Sequence, residues 1–406
     1  MAAEPMASGP GVAVVMGTAV DAAGRPECHS SCVDRFDSAR FDRARFDSAR
    51  FDSVAVLGLG KVGLLAAGLL HDAGYRVVGH DVHPPTTDEP FAIATTDVTD
   101  PSALDDALGS VGAVLSCLPY HCNIAVADAA HRLGIHYFDL TEDVATTRHI
   151  RTLAETHAGV MAPQCGLAPG FVGIVAAHQI DDYERCRSIR MRVGALPAHP
   201  TGLLGYAFNW SPEGVVNEYL NDCEVIEEGV RKTVSSMEWR EPIYVAGTRL
   251  EAFTTSGGLG TMCETYHGRV DNLDYKTMRY PGHVDLMNFF FHELLMRERR
   301  ELAGEILTHA KPPVDEDVVY VHVSSEGWRD GRLTRIEYVR DFRPKEIAGR
   351  RRTAIAWTTA GSVSAVIEMV DNGTLPPRGF VKQEDIRFAD FLATPTGALF
   401  DEPPAG

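Results

Sequence analysis

From Val54 onward the chain alternates short apolar runs with longer amphipathic stretches. The runs at 53–58, 76–81, 91–95, 112–117, 136–139 and 159–164 predict strands. The stretches at about 61–73, 101–108, 121–132 and 143–156 predict helices, with Gly74, Pro101, Gly134 and Gly159 as punctuation. Strict alternation of this kind is what a parallel sheet requires. Beyond Cys165 the rhythm changes. Ser188–Val193, Pro242–Val245, Val318–Val323 and Thr334–Val339 alternate or run apolar like strands of a mixed sheet, and long helices at about 285–308 and 354–371 would cover it. Two units result, at 53–165 and from 166 on.

Residues 1 to about 52 carry no such pattern. Arg35 to Ser53 is a five-residue repeat of Phe, Asp and Arg, a period that fits neither a strand nor a simple helix face. We expect a disordered extension over 1–52, either an upstream reading of the start or a tail for a partner.

The first predicted strand runs into Gly58-Leu-Gly60-Lys61-Val62-Gly63, and the second ends on Asp81. Gly58 permits a tight turn, Gly60 lets the backbone approach a pyrophosphate, and Gly63 lets the helix pack on the strand. Lys61 and Val62 open the helix whose N-terminus would face the phosphates. Asp81, twenty-three positions after Gly58, can accept both ribose hydroxyls. The first unit therefore reads as a Rossmann-type doubly wound sheet, with an α+β domain of mixed sheet and covering helices after it. Asp81 would repel a 2′-phosphate and no Arg or Lys follows it in Val82-His-Pro-Pro-Thr-Thr87, so NAD is expected over NADP.

Composition narrows the function. The 406 residues are 45% apolar, enough for two domains with a core. The formal charge of −18 opposes binding to a phosphate backbone, so no nucleic-acid partner is expected. No apolar run approaches the roughly 20 residues of a membrane span, and no basic region precedes the N-terminal apolar stretch. Eight scattered cysteines suggest reduced thiols and a cytoplasmic setting. The histidines show no ligand-like spacing, so no metal site is expected.

The segments Leu118-Pro119-Tyr120, His136 to Asp143, Pro163 to Gly170, Arg190 to Pro197, Asn209 to Gly214, Phe253 to Gly258, Asp274 to His283 and Gly379 to Glu384 stand in order along the chain. Together they resemble the saccharopine dehydrogenase and lysine 6-dehydrogenase family, with the lysine 6-dehydrogenase-like branch the nearer. Two departures, Asp274 and the loop Ala198–Gly205, fall in the second domain. The resemblance implies a first domain completed by about 380–400, where the chain returns near Lys382 to add a final helix. It also implies a second domain at 166–379 that binds substrate and forms a homodimer. The implied reaction takes a hydride from a carbon bearing an amine, after which water hydrolyses the imine to an aldehyde.

On that reading Leu118 and Pro119, just past a strand end, would touch the cofactor, and Tyr120 and Cys165 would line the substrate site. Asp139 would hold the substrate amine and accept a proton, whereas Glu142 and Asp143 are read as helix-capping acids. Arg279 offers a fork for a substrate carboxylate, Lys276 a point charge or proton donor, and Tyr280 flanks them. Arg192 competes for the anchoring role. The substrate expected is lysine or an N6-substituted lysine such as saccharopine, oxidised at its C6–N bond to aminoadipate semialdehyde or its cyclic imine. The alternatives are another amino-acid amine in a specialised biosynthetic pathway, or a nucleotide-sensing protein of the same fold without catalysis.

Overall fold

The computed structural model describes residues 51–401, so most of the Phe-Asp-Arg repeat lies outside the described residues. Its last phenylalanine does not. Phe51 is 5% exposed and packs against the rings of Tyr75 and His136, while Asp52 accepts a backbone hydrogen bond from Arg76. The described fold therefore includes the end of the repeat, two residues before the expected boundary, with Phe51 filling the space left by Gly112.

The first unit follows the predicted alternation: β1 (Ser53–Leu57), α1 (Lys61–Asp72), β2 (Arg76–Asp81), β3 (Ala92–Thr95), α2 (Pro101–Leu108), β4 (Ala113–Ser116), α3 (Tyr120–Leu133), β5 (His136–Asp139), α4 (Val144–Ala154) and β6 (Val160–Ala162). The strands are parallel, in the order β3-β2-β1-β4-β5-β6. Both faces are buried. Val54 and Val56 join the core beneath α1, and Ala55 and Leu57 join the one beneath α2, α3 and α4. That is why the strands read as apolar runs and not as alternation.

After α5 (Phe171–Asp181) comes β7 (Arg185–Pro197), then α6 (Pro212–Leu220), β8 (Cys223–Glu227), β9 (Val230–Val234), β10 (Glu241–Val245), β11 (Thr248–Thr254), α7 (Met262–Tyr266) and β12 (Val270–Arg279). Next are α8 (His283–Asn288), α9 (Arg300–Ala310), β13 (Asp317–Arg329) and β14 (Arg332–Phe342). The second sheet is mixed, in the order β10-β11-β12-β7-β13-β14, with β8 pairing to β12 and β9 to β8. The single long helix expected over 285–308 is broken. After α8 the chain widens into a π-helical stretch at Phe289–Glu293, and Leu295 adopts φ 55° before α9 begins. This buries Phe291 and leaves Phe289, Leu294 and Leu295 in solvent. No proline or glycine at 289–299 announces the break.

A small hairpin, β15 (Lys345–Ile347) and β16 (Arg350–Arg352), leads into α10 (Ala354–Asp371). Almost every residue of α10 is buried because it packs on α1 on one side and on β13 on the other. Asp317, at the start of β13, accepts hydrogen bonds from the Ala354 and Ile355 amides at 2.6 and 3.0 Å and so caps it. Then β17 (Gly379–Phe380) adds a seventh parallel strand beside β6, followed by α11 (Phe388–Leu392). The return to the first sheet thus brings a strand and the preceding helix α10, besides the short final helix.

Phe51→Ala is expected to lower stability by about 3 kcal/mol, as for a buried aromatic truncation. Chemical denaturation checks this; a loss within about 0.5 kcal/mol would place Phe51 on the surface.

Candidate active site

A cleft of about 630 Å³ lies between the C-terminal ends of β1, β4 and β5 and one face of the second sheet. Its first wall is the Gly60–Gly63 turn with Cys117 to Tyr120, Leu140 to Glu142 and Gly166 to Pro169. Its second wall is Val193 and Ala195 of β7, Tyr275, Thr277 and Arg279 of β12, and Trp210 and Glu218.

The turn after β1 has the shape a dinucleotide needs. Gly58 sits at φ 86°, where a Cβ would press on the Cys117 carbonyl, and a Cβ on Gly63 would collide with the Gly58 carbonyl. A Cβ on Gly60 would meet nothing within 4 Å, so this backbone stands open towards the cleft. No side chain caps α1, which leaves its first amides for an anion. Asp81 is fixed beside the turn, accepting from the Leu59 amide at 2.7 Å and the His83 amide at 2.8 Å. Each of its oxygens keeps a lone pair for a ribose hydroxyl. Leu118 and Pro119 line the same end of the cleft.

Strand alternation sorts the second-domain candidates. Tyr275, Thr277 and Arg279 face the cleft, whereas Lys276 points to the other side of the sheet. There its Nζ donates to the Trp239 carbonyl at 2.6 Å and pairs with Glu241 at 3.0 Å. Arg192, beside it in register, pairs with Glu241 and Asp274. Neither reaches the cleft. Tyr280 is also turned away, its hydroxyl donating to the Pro197 carbonyl at 2.9 Å.

Arg279 is 2% exposed and held from three directions. Its Nη1 donates to Thr277 Oγ1 and the Met278 carbonyl, its Nε donates to Tyr219 Oη at 2.8 Å, and the Tyr206 ring lies 4.7 Å away. Tyr219 in turn donates to His283 Nε2 at 2.9 Å, and His283 Nδ1 donates to the Leu204 carbonyl at 3.0 Å. Burial, with Arg279 beside it, pushes His283 down to about 3, so the ring stays neutral and this direction of donation is fixed. Among the described residues Arg279 Nη2 makes no hydrogen bond; Glu218 Oε2 is 3.9 Å from it.

Asp139 is fully buried and does not line the cleft. Its carboxylate accepts from the Thr141 amide (3.0 Å), the Gln164 amide (2.9 Å) and the Tyr137 hydroxyl (2.7 Å). It ties the ends of β5 and β6 together and presents Thr141 and Glu142 to the cleft. Burial raises it to about 6 against the pull of these hydrogen bonds. Cys165 is also enclosed, with Sγ 3.2 Å from the Ala162 carbonyl, and burial raises its thiol strongly. Tyr120, at the start of α3, does line the cleft. Its hydroxyl meets Glu213 and Asn217 of α6.

Two acids in the cleft go beyond the sequence reading. Glu142 was read as a capping residue, but Asp143 caps α4 by accepting from the Thr146 amide. Burial, with Asp143, Asp139 and Glu213 nearby, raises Glu142 to about 7. Glu218 comes from α6, whose start carries a legible signal: Ser211 accepts from the Gly214 amide and Pro212 holds the first position. Among the described residues no group of three His, Cys, Asp or Glu side chains is placed to hold a metal.

Residues 54–162 match the family description "Saccharopine dehydrogenase NADP binding domain", and residues 166–395 match "Saccharopine dehydrogenase C-terminal domain". The chain belongs to the saccharopine dehydrogenase family. Among curated members of that family, the chain is similar to "Saccharopine dehydrogenase [NADP(+), L-glutamate-forming]" of Saccharomyces cerevisiae, 33% identical over 153 residues. The match covers 34% of this chain and 33% of that protein. The Schizosaccharomyces pombe protein of the same description is 25% identical over 158 residues, 37% of this chain and 35% of its own length. The chain thus matches about a third of the length of these relatives. The apo saccharopine dehydrogenase (L-Glu forming) structure from Saccharomyces cerevisiae superposes with a TM-score of 0.66 at 18% identity. That superposition covers 84% of this chain and 97% of that one, and it shows the shared fold.

Gly60→Val would fill the open side of the turn. Fluorescence titration with NADH and NADPH should show affinity reduced at least about 10-fold, with the melting temperature nearly unchanged. Unaltered affinity would remove the turn from the nucleotide site.

Proposed function

We propose that this protein is a nicotinamide-dependent oxidoreductase acting on an amino-acid amine, and that its substrate is lysine or an N6-substituted lysine oxidised at the C6–N bond. The observation that carries this reading is a single buried guanidinium, Arg279, with a free edge in the cleft that also holds the glycine turn.

The nicotinamide, when bound, supplies the hydride acceptor. The chain supplies orientation, dryness and proton transfer. Arg279 would hold the substrate carboxylate on Nη2, pre-oriented by Tyr219 and Thr277, so that the far amine reaches towards the first domain. An ammonium must lose a proton before its carbon can release a hydride. Glu142 stands on the first-domain wall and can take that proton once it is ionised. Trp210, Tyr275 and Leu167 narrow the access of water. The remaining imine would be hydrolysed to an aldehyde. Asp139 serves this scheme as the brace behind Glu142, and Lys276, Tyr280 and Cys165 lie outside it.

For the cofactor, Asp81 and the lack of a cation in the loop after it support NAD. The NADP named for the relatives and for the matching domain description weighs the other way. Pairing of two chains through the second domain and a cytoplasmic setting belong to the same proposal. No helix among the described residues is long and apolar enough to cross a membrane.

Absorbance at 340 nm with a panel of amino acids tests the reading, and released ammonia or glutamate identifies the leaving amine. NAD should give the higher kcat/KM, and Asp81→Ala should narrow the preference; a higher value with NADP would remove Asp81 from that role.

Arg279→Ala should lower kcat/KM roughly 10- to 100-fold with cofactor affinity held, and Arg279→Lys should recover only part of it. Lys276→Met should stay near wild type. The opposite ranking would move the anchor to the other face of the sheet.

Glu142 is neutral below about pH 7 and a carboxylate above, so kcat/KM should rise through that pH. Glu142→Gln should lower the rate and abolish that limb. A limb that persists in the variant would assign it elsewhere.

A further inference from the structure

We propose that Glu218 is the seat of the substrate's α-ammonium group and that, with Arg279, it reads the complete head of an α-amino acid. This rests on the reading of the cleft as a site that oxidises a distal amine.

Glu218 is 7% exposed, and what exposure it has is towards the cleft it lines. Among the described residues its carboxyl oxygens accept no hydrogen bond; only its backbone carbonyl is used, by the Ser256 amide. A buried carboxyl without partners is costly unless a donor arrives from outside. Arg279 does not hydrogen-bond it, because 3.9 Å is beyond hydrogen-bond distance and Tyr219, Thr277 and Met278 hold the Nε and Nη1 side of the guanidinium in place, leaving Nη2 free. The two side chains therefore present an open cation and an open carboxyl side by side. An α-amino acid carries the complementary pair on one carbon.

The surroundings support the same assignment. Facing Glu218 are Arg279 and Tyr275 from β12, Glu142 from the loop after β5, Tyr206, its helix neighbour Tyr219, and Cys223. Burial raises Glu218 to about 8, Glu142 pushes it further up, and Arg279 alone pulls it down. At pH 7 its carboxyl is therefore largely protonated. A docking ammonium would drive the carboxyl to ionise, and its proton would leave to solvent.

The cleft also counts charges. It offers one buried cation for one carboxylate, and Glu218 and Glu142 for two nitrogens. That complement matches a diamino monocarboxylic acid better than a polycarboxylic conjugate of it, whose extra carboxylates would meet the two acids.

The test compares L-lysine with 6-aminohexanoate, which is lysine without its α-ammonium. In the native protein kcat/KM for lysine should exceed that for 6-aminohexanoate roughly 10- to 100-fold. Glu218→Gln should bring this ratio close to one, whereas loss of a mere counterion to Arg279 would weaken both compounds alike and leave the ratio standing. A second measurement needs neither turnover nor a variant. Titration calorimetry of the protein saturated with NADH, run at pH 7 in buffers of different ionisation enthalpy, should show more proton released on binding lysine than on binding 6-aminohexanoate, since both share the distal ammonium that faces Glu142 and only lysine carries the one that faces Glu218. Turnover of lysine with an unaltered ratio in Glu218→Gln, or equal proton release with both compounds, overturns the assignment of Glu218 alone. Failure of both compounds to bind or turn over overturns the lysine reading as well.

Discussion

The structure around the cleft depends on keeping one guanidinium dry. A buried charge is tolerated only when its hydrogen bonds are met, and Arg279 uses most of the second domain to meet them. Thr277 and the Met278 carbonyl come from its own strand, Tyr219 from α6, and His283 from the start of α8. The chain of donation ends on the Leu204 carbonyl, so even the loop before α6 is fixed by the same group. Among the described residues, one edge of the fork and one neighbouring carboxyl make no hydrogen bond, both on the cleft side.

The opposite wall is organised by a similar economy. Asp139 gathers two amides and a hydroxyl where β5 and β6 end, which locks the turns that carry Glu142 and the Gly166–Pro169 segment. Its own carboxylate is taken up by these bonds and does not line the cleft. The two walls are then joined by α10, buried almost all round because it lies between the two sheets, and by the return of β17 to the first sheet. Separation of the domains in sequence does not become independence in space. The latch of Glu384 on Thr261 and Thr265 adds a polar contact between the returning chain and the second domain.

Much of this was legible. The apolar runs from Val54 gave the parallel sheet because its strands are buried on both faces, and the glycine spacing marked the nucleotide turn. The placement of Lys276 and Tyr280 was also legible in principle. Alternation along Tyr275 to Tyr280 puts odd and even positions on opposite faces, so choosing Arg279 for the cleft already excludes both. Glu142 could not be separated from Asp143 by sequence, since either acid can cap a helix and only the geometry shows that Asp143 does. Glu218 needed two steps: the Ser211-Pro212 helix start was readable, but its packing against β12 is a long-range contact without a local signal. The break after α8 has none either, because π widening leaves no mark in residue type.

The most direct test of the account is the position of the carboxylate in a crystal structure of the ternary complex with NADH and L-lysine. We expect that carboxylate on Arg279 Nη2, with Tyr219 still on Nε and the α-ammonium on Glu218. A carboxylate bound instead at Arg192 and Lys276, on the far side of the second sheet, would contradict it.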